Sequence, residues 1–427
     1  MKPTAPLRAP AGGLAPACAS RALLALLVAA LIALAASAPR ARAYAPQCAD
    51  PYPAARDPAN PLMLARPPGA DPLRGASLFV DGPQHGAAAG AIAQLLGIDA
   101  RVAVGSRLPA FSDSLSWGRF AGQVSRALPA LAPSVAYRVR MLEKIAAEPE
   151  TQKLWAFAQG GGPGAIYSQT QKLFCHNFTA DPGSVPVIMT YFLHPLLGGC
   201  ATPAQMAAAR PGFERRVDEM VAAIGNRPVV LLLEEDAFGS SSCMAREGDL
   251  GDWEALVRYE VDRAATLPHA VVYVEAGYAD ANSPLYTARA LRRVDIGAIR
   301  GFFTNDTHFD WTIDEIRWGE RVSRLTGGAD FIVNTAQNGN GPLIPRDRAR
   351  YGNEVLCNPP GRAAGPRPST DTGFAHLDAF LWTAPPGNSS GSCNGGTPAG
   401  TFDPARAVAL AAAANARLGP GYPSRPY

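Results

Sequence analysis

The sequence has few charged residues and no concentration of basic ones. Charged side chains make up 18% of the 427 residues, and the formal net charge is +3. A protein that binds nucleic acid needs a stripe or patch of Lys and Arg, so this composition argues against DNA and RNA as partners. The length is sufficient for one large barrel or for two ordinary domains.

Motifs for metals and nucleotide cofactors are also missing. No two cysteines have C-x-x-C spacing, and no two histidines have the i, i+4 spacing of ligands on one helix face. A zinc site is therefore not expected. The glycine cluster at residues 160–164 contains a proline and lacks G-x-G-x-x-G spacing, which argues against dinucleotide binding. We predict neither a metal nor a cofactor.

Long apolar runs are absent after the N-terminal region. Arg8 and Arg21 precede an apolar run over residues 22–36, and Ala-Arg-Ala at 41–43 fits a small-x-small cleavage site. This pattern predicts a secretory signal peptide over residues 1–43, secretion of the protein, and no membrane contact after cleavage. An uncleaved single-pass anchor is the alternative.

Removal of the signal peptide would leave six of the seven cysteines. An even number of cysteines in an exported protein predicts three disulfides, whose connectivity the spacing leaves open. The six are Cys48, Cys175, Cys200, Cys243, Cys357 and Cys393.

Runs typical of β-strands alternate with helical patterns after an extended segment over residues 44–75. Apolar residues share one face in Gly212–Ile224, and further helices are predicted to begin at Asp252 and to span Pro284–Val294 and Ile313–Leu325. Such alternation indicates a parallel sheet covered on both faces. The predicted strands are Ser77–Val80, Leu154–Ala158, Pro186–Tyr191, Pro228–Leu233, Ala270–Val274, Gly301–Thr304, Phe331–Val333 and Ala379–Trp382.

These elements predict one α/β domain over residues 76–427. Seven or eight strands in one length of chain favour a closed or nearly closed parallel β/α barrel over the alternative, an open doubly wound sheet. Residues 335–402 are rich in Gly, Pro and Asn and predict long loops that contribute to a site. The apolar run Val230–Leu233 is followed directly by three carboxylates ending at Asp236. In a barrel this position is the mouth of the site.

Several segments, in order, resemble glycoside hydrolase family 6, the secreted inverting cellulases. The segments Asn338–Pro342, Cys357–Ala363 and Asp378–Trp382 match its C-terminal motifs. Ile224–Pro228, leading into Leu233–Asp236, matches the strand that carries its catalytic acid. The likeness extends from about residue 60 to residue 418.

The resemblance implies a distorted β/α barrel that hydrolyses β-1,4-glucan with inversion. Inversion requires a general acid and, roughly 6.5–9.5 Å away, a second carboxylate that activates water. The likeness places the acid at Asp236. It also implies disulfides Cys200–Cys243 and Cys357–Cys393, leaving Cys48–Cys175 as the third.

The chain departs from the family at important positions. The usual base is replaced by Ser390, an aspartate that supports the acid by Gly199, and the proline before the acid by Glu235. No base can therefore be assigned. Other carboxylates could replace it, and the candidates are Glu275, Asp280, Asp306 and Asp371.

We predict a monomer that contacts a polysaccharide or oligosaccharide. Trp311 and Trp318 could also stack on sugar, although packing within helices is the better interpretation for both. A catalytically impaired glycan-binding relative is the main alternative, and a structural envelope protein that uses the barrel as a scaffold is a third possibility. The predicted substrate contacts are Tyr191, Tyr278, Asn305, Asn338 and Asn358.

Overall fold

The computed structural model describes residues 70–81, 86–97, 116–180, 183–198, 200–239, 241, 250–343 and 355–418. The chain divides into two units, Met1–Ala45 and Pro46–Tyr427, and every described residue belongs to the second. The predicted signal peptide lies outside the described residues, so it and the predicted domain bounds remain predictions. None of the described helices is long and apolar enough to cross a membrane.

Seven parallel strands form one sheet whose spatial order follows the chain. The hydroxyl of Thr151, just before the first strand, donates to the carbonyl of Trp382, just after the seventh, at 2.9 Å. The curled sheet thus brings its two edges together, and the order lacks the reversal of a doubly wound sheet. The predicted distorted barrel is confirmed. Its strands are Gln152–Trp155 (β1), Val187–Tyr191 (β2), Val229–Leu233 (β3), Ala270–Glu275 (β4), Gly301–Thr304 (β5), Asp330–Asn334 (β6) and Leu377–Leu381 (β7).

The predicted strand Ser77–Val80 is wrong. Leu78 makes only an isolated parallel bridge to Val185, just before β2. The bridge does not extend into a strand because β1 pairs with β2 from Ile188 onward.

Helices surround the sheet, and one begins earlier than predicted. The helix predicted over Gly212–Ile224 starts at Pro203, because Thr202 and Gln205 form a capping box and a proline occupies the first turn. The predicted N-cap Asp252 lies instead in the first turn of its helix. The described helices are Ala87–Leu96 (α1), Ser116–Ala127 (α2), Pro133–Ala146 (α3), Ala165–Ala180 (α4), Leu193–Leu197 (α5), Pro203–Ile224 (α6), Leu250–Ala264 (α7), Pro284–Arg293 (α8), Thr312–Thr326 (α9) and Pro404–Leu418 (α10).

Alternate residues of the strands divide between two apolar cores. In β3, Val230 and Leu232 point into the barrel, whereas Leu231 and Leu233 pack against the surrounding helices. All five residues of β3 are buried. A fully buried strand of this kind fixes the position of the side chains that follow its carboxyl end.

The loop after β7 is cross-linked as predicted. Cys357 and Cys393 form a disulfide across 36 residues, which confirms one predicted pair. Cys175 and Cys200 are also disulfide-bonded. Their predicted partners Cys48 and Cys243 lie outside the described residues, so those two pairings stay predictions.

Candidate active site

The chain turns sharply where β3 ends. Glu234 and Asp236 both have positive φ, 55° and 62°, a conformation that is uncommon for residues other than glycine. The buried Glu234 carboxylate accepts the backbone N–H groups of Phe192 (3.0 Å) and Leu193 (2.9 Å) at the start of α5. These bonds hold the turn in place and leave Asp236 half-buried at the carboxyl edge of the sheet.

Two hydroxyl groups donate to the same oxygen of Asp236. The phenol of Tyr278, in the loop after β4, bonds Oδ1, and Thr307 Oγ1, in the loop after β5, bonds it at 2.7 Å. The carboxyl group therefore has a fixed orientation.

Asp306 contacts the same turn through the backbone. Its Oδ2 accepts the N–H of Asp236 at 3.1 Å, and its Oδ1 accepts the N–H of Thr307 at 3.0 Å. Asp306 is the base candidate that the structure brings into direct contact with the proposed acid.

Glu275, another base candidate, is fully buried at the end of β4. Its two oxygens accept the backbone N–H groups of Phe238 (2.5 Å), Gly239 (3.0 Å) and Gly277. A carboxylate enclosed in this way orients the loops after β3 and β4 and presents no surface to a water at the edge.

Burial and mutual repulsion raise the pKa values of this group of acids. Burial, followed by the charge of Asp236, raises the pKa of Glu275 to about 8. The pKa of Asp306 lies well above its ordinary value because of burial and then the charges of Glu275, Asp236 and Glu235. Burial and the same acids also raise the pKa of Tyr278, so its phenol remains a donor.

Lys153 of β1 counterbalances part of this charge. Its ammonium forms an ion pair with Glu235 and lies 5.0 Å from the ring centre of Tyr191. Burial and the neighbouring acids raise the pKa of Tyr191. The predicted contact residue Tyr191 therefore lies at the carboxyl edge beside the proposed acid.

The two remaining base candidates lie in different places. Asp280 pairs with His308 at 2.7 Å, and the His308 ring stacks on Tyr278 with 3.6 Å between ring centres. Asp371 follows Ser369, which bonds the Phe380 backbone, and precedes Thr372, which bonds the Leu377 carbonyl. Asp371 thus lies toward the amino end of β7, and the structure does not bring it to the carboxyl edge.

The three predicted contact asparagines are buried and tie loops together. Asn305 Nδ2 donates to the Asn334 carbonyl at 3.0 Å. Asn338 Nδ2 donates to the Asp310 carbonyl at 2.9 Å. Asn358 donates to Ser389 Oγ at 3.0 Å and accepts the Ser390 N–H at 3.0 Å. These contacts position the edge, and a role in substrate contact stays a prediction.

The sequence interpretation missed several residues at this edge. Trp155 and Phe157, at the end of β1, are 47% and 41% exposed and form an edge-to-face pair with 5.4 Å between ring centres. Their spacing in a short apolar run gave no signal of exposure. Thr307 and Lys153 belong to no motif, so only the fold relates them to Asp236. Trp318 is buried and donates to the Asn282 carbonyl, as expected for helix packing.

No group of three or more His, Cys, Asp or Glu in the described part of the chain is arranged to hold a metal ion. The arrangement can instead hold and deliver a proton. It combines an oriented carboxyl group, a second carboxyl group beside it, and exposed aromatic rings at the same edge of the sheet.

Comparisons with known proteins find relatives of this chain. Endoglucanase A of Cellulomonas fimi is 31% identical over 280 residues, which cover 65% of this chain and 56% of that protein. Endoglucanase 1 of Streptomyces sp. (strain KSM-9) is 32% identical over 276 residues, covering 63% of this chain and 70% of the relative. The chain therefore spans little more than half the length of the first of these relatives.

Solved structures give the same result. The endoglucanase Cel6 from Mycobacterium tuberculosis, in complex with methyl-cellobiosyl-4-deoxy-4-thio-β-D-cellobioside, matches with a TM-score of 0.55 and 31% identity over 67% of this chain and 96% of that one. A GH6 enzyme from Orpinomyces sp. Y102, at 19% identity and a TM-score of 0.54, supports the fold alone. The model of the family described as "Glycosyl hydrolases family 6" matches residues 198–416. Because this match covers about half of the chain and includes the acid-bearing turn after β3, the chain belongs to glycosyl hydrolases family 6.

Proposed function

We propose that this protein is a glycoside hydrolase that cleaves β-1,4-glucan, or a related polysaccharide, with inversion. The carrying observation is the carboxyl group of Asp236, which two hydroxyl donors hold at the carboxyl edge of the barrel. In this mechanism Asp236 protonates the leaving oxygen while water attacks the opposite face of the sugar. Family membership and the endoglucanase relatives support the reaction and the substrate class.

The base remains unassigned among the candidates. The position expected for it holds Ser390, which is exposed and cannot accept a proton from water as a carboxylate does. Glu275 is enclosed by backbone donors, and Asp371 lies toward the other end of β7. Asp280 and Asp306 are therefore the candidate bases that remain at the carboxyl edge.

Exposed aromatic rings support sugar binding at this edge. Trp155 and Phe157 offer apolar faces to solvent, and burial of such faces against pyranose rings is favourable. The same rings suit the second candidate function, a glycan-binding protein without hydrolysis, which the serine at position 390 favours. We also propose secretion, which the disulfides support, and a monomer that acts on polysaccharide.

The test is release of reducing ends from soluble β-1,4-glucan, mixed-linkage glucan and a panel of other polysaccharides. Asp236→Asn should abolish release, while Asp314→Asn, at a surface residue paired with Arg317, should leave it unchanged. Proton NMR of the first product should detect the α-anomer, as inversion requires. Binding of cello-oligosaccharides without release from any substrate would instead support the glycan-binding function.

A further inference from the structure

The backbone of Asp236 is held by side chains from two other segments. Its N–H donates to Asp306 Oδ2 at 3.1 Å, and its carbonyl lies 3.2 Å from Nε2 of the half-buried His194. A carbonyl oxygen can only accept, so in this contact Nε2 carries a proton and donates it. The residue proposed as the acid is therefore held through its main chain as well as through its carboxyl group.

Helix α5 and the turn after β3 are joined in both directions. Glu234, in the turn, accepts the N–H groups of Phe192 and Leu193 at the start of α5. His194, the next residue of α5, returns a bond to the carbonyl of Asp236. Because Glu234 and Asp236 lie two residues apart, both ends of the turn are fixed against the same short helix.

Aromatic neighbours set the plane of the His194 ring. The ring is nearly parallel to that of Tyr191, at 11° with 6.2 Å between centres, and meets the indole of Trp253 edge to face at 5.8 Å. The same indole donates its Nε1–H to the carbonyl of Ala237 at 2.8 Å. Two consecutive carbonyls of the turn thus accept ring N–H donors from residues that pack against each other.

The turn needs such support because its backbone conformation is unfavourable. Glu234 and Asp236 both have positive φ, which residues other than glycine keep only where their surroundings determine it. Without a donor at residue 194, the Asp236 carbonyl loses a hydrogen bond that favours this conformation. A turn that relaxes carries the carboxyl group of Asp236 away from Tyr278 and Thr307, which donate to it.

We propose that His194 is a positioning residue for the acid, and that its Nε2–H keeps the turn in the conformation that directs the Asp236 carboxyl group to the substrate. The inference rests on the proposed function of Asp236. His194 acts through the backbone of Asp236 and does not itself exchange a proton with the sugar. Its contribution is an N–H group in a fixed place, so a side-chain amide in the same place should replace it.

The first test compares three substitutions of His194 in the full-length protein. Glutamine places an amide N–H close to the position of Nε2, asparagine carries the same group on a shorter side chain, and leucine has no donor. In His194→Leu and His194→Asn, kcat on soluble β-1,4-glucan should fall roughly 10- to 100-fold with little change in KM, since misplacing a catalytic group slows the chemical step. His194→Gln should keep kcat within about threefold of wild type, because it restores the hydrogen bond.

His376→Leu is the matched control. His376 pairs with Asp330 beside the amino end of β7, at the opposite edge of the sheet, and its loss should leave kcat unchanged. Wild-type kcat in His194→Leu would overturn the inference. An equal loss in His194→Gln and His194→Leu would also overturn it, because the effect would then come from the shape of the imidazole and not from its donor.

The second test needs no activity. The chain has six histidines, so isotope labelling of the imidazole nitrogens gives few NMR signals, and His194→Gln identifies those of residue 194. Long-range proton–nitrogen correlation distinguishes a ring nitrogen that carries a proton from one that does not. Nε2 of His194 should carry a proton, since only an N–H donates to a carbonyl. A bare Nε2, with the proton on Nδ1, would overturn the inference.

The two tests separate this inference from the proposed function. Absence of hydrolysis in wild type would defeat the proposed function, and the imidazole signals would still decide whether His194 donates to the turn. Hydrolysis that depends on Asp236 but not on a donor at residue 194 would defeat the positioning role alone.

Discussion

The loops after β3, β4 and β5 and the loop after β7 lie at the same edge of the sheet, yet they differ in charge. The first three contribute Asp236, Glu275 and Asp306, held by backbone N–H groups and hydroxyls. Residues 382–402, after β7, contain no Asp, Glu, Lys or Arg. The Cys357–Cys393 disulfide and the bonds of Asn358 contribute to the order of this loop. Under the proposed mechanism, the chain has a carboxyl group at the position expected for the acid and none at the position expected for the base.

This difference teaches that a scaffold and its chemistry can diverge separately. Backbone amides and a disulfide maintain the loop after β7 without its carboxylate, because neither depends on the identity of residue 390. The acid half is different, since several carboxylates must be accommodated together. The loop after β7 therefore lacks a carboxylate at position 390, and the loops after β3, β4 and β5 must hold several acids close together.

Ser390→Asp tests whether the site lacks a general base at position 390. It has the largest expected effect on activity. A carboxylate at this position supplies a general base, a contribution of roughly 10²–10⁴ in rate, so kcat on soluble β-1,4-glucan should rise toward that range. Ser392→Asp adds the same charge two residues along the exposed loop and is the matched control. An equal rise in both variants, or in neither, would contradict a base deficit at position 390. The gain should also disappear when Asp236→Asn is added.

Removal of the disulfide tests what orders the uncharged loop. Replacing Cys357 and Cys393 together by serine removes the link between the loop before β7 and the loop after it, across a sequence separation of 36 residues that includes β7, and should cost about 3–4 kcal/mol of unfolding free energy. Urea unfolding measures this as a lower midpoint with a similar slope. An unchanged midpoint would mean that Asn358 and its hydrogen bonds order the loop without the disulfide.

Tyr278→Phe tests the orientation of the acid. Loss of one hydrogen bond to a charged group costs about 1.5–3 kcal/mol, so kcat should fall roughly 10- to 100-fold. The control is Tyr286→Phe, which removes a phenol that bonds Ser241 Oγ at 3.1 Å. If both variants keep wild-type kcat, Thr307 alone is sufficient to orient Asp236.

Much of the fold could be predicted from the sequence because its strands are continuous apolar runs. Seven predicted strands match the sheet within a few residues, and the acid-bearing turn after Leu233 follows from one of them. The segment Ser77–Val80 is also a mainly apolar run, and it still does not form a strand. Its pairing position beside β2 is taken by β1, a competition that the segment's own sequence does not reveal.

The candidate site was less predictable because its contacts join separate loops. Asp236, Glu275 and Asp306 each lie one to three residues after a predicted strand, and parallel strands end at one edge of a sheet. The sequence could not indicate that backbone donors enclose Glu275, or that the chain before β7 carries Asp371 away from the edge. Thr307 and Lys153 acquire their roles only through distances to other strands.

Glu275→Gln tests the stability cost of burying a carboxyl group on the acidic side of the site. The pKa of Glu275 is about 8 in the folded protein and about 4.3 in an unfolded chain. Between these values the folded form binds the extra proton, so stability falls as pH rises toward 8 and then levels off. Glutamine does not titrate, and the Tm of the variant relative to wild type should therefore increase between pH 5 and pH 8.5. Asp314→Asn should give a Tm difference that is flat over this range. A flat difference for Glu275→Gln as well would mean that its three backbone donors offset the cost of the buried charge. The acidic half of the site would then be maintained at no cost to the stability of the barrel.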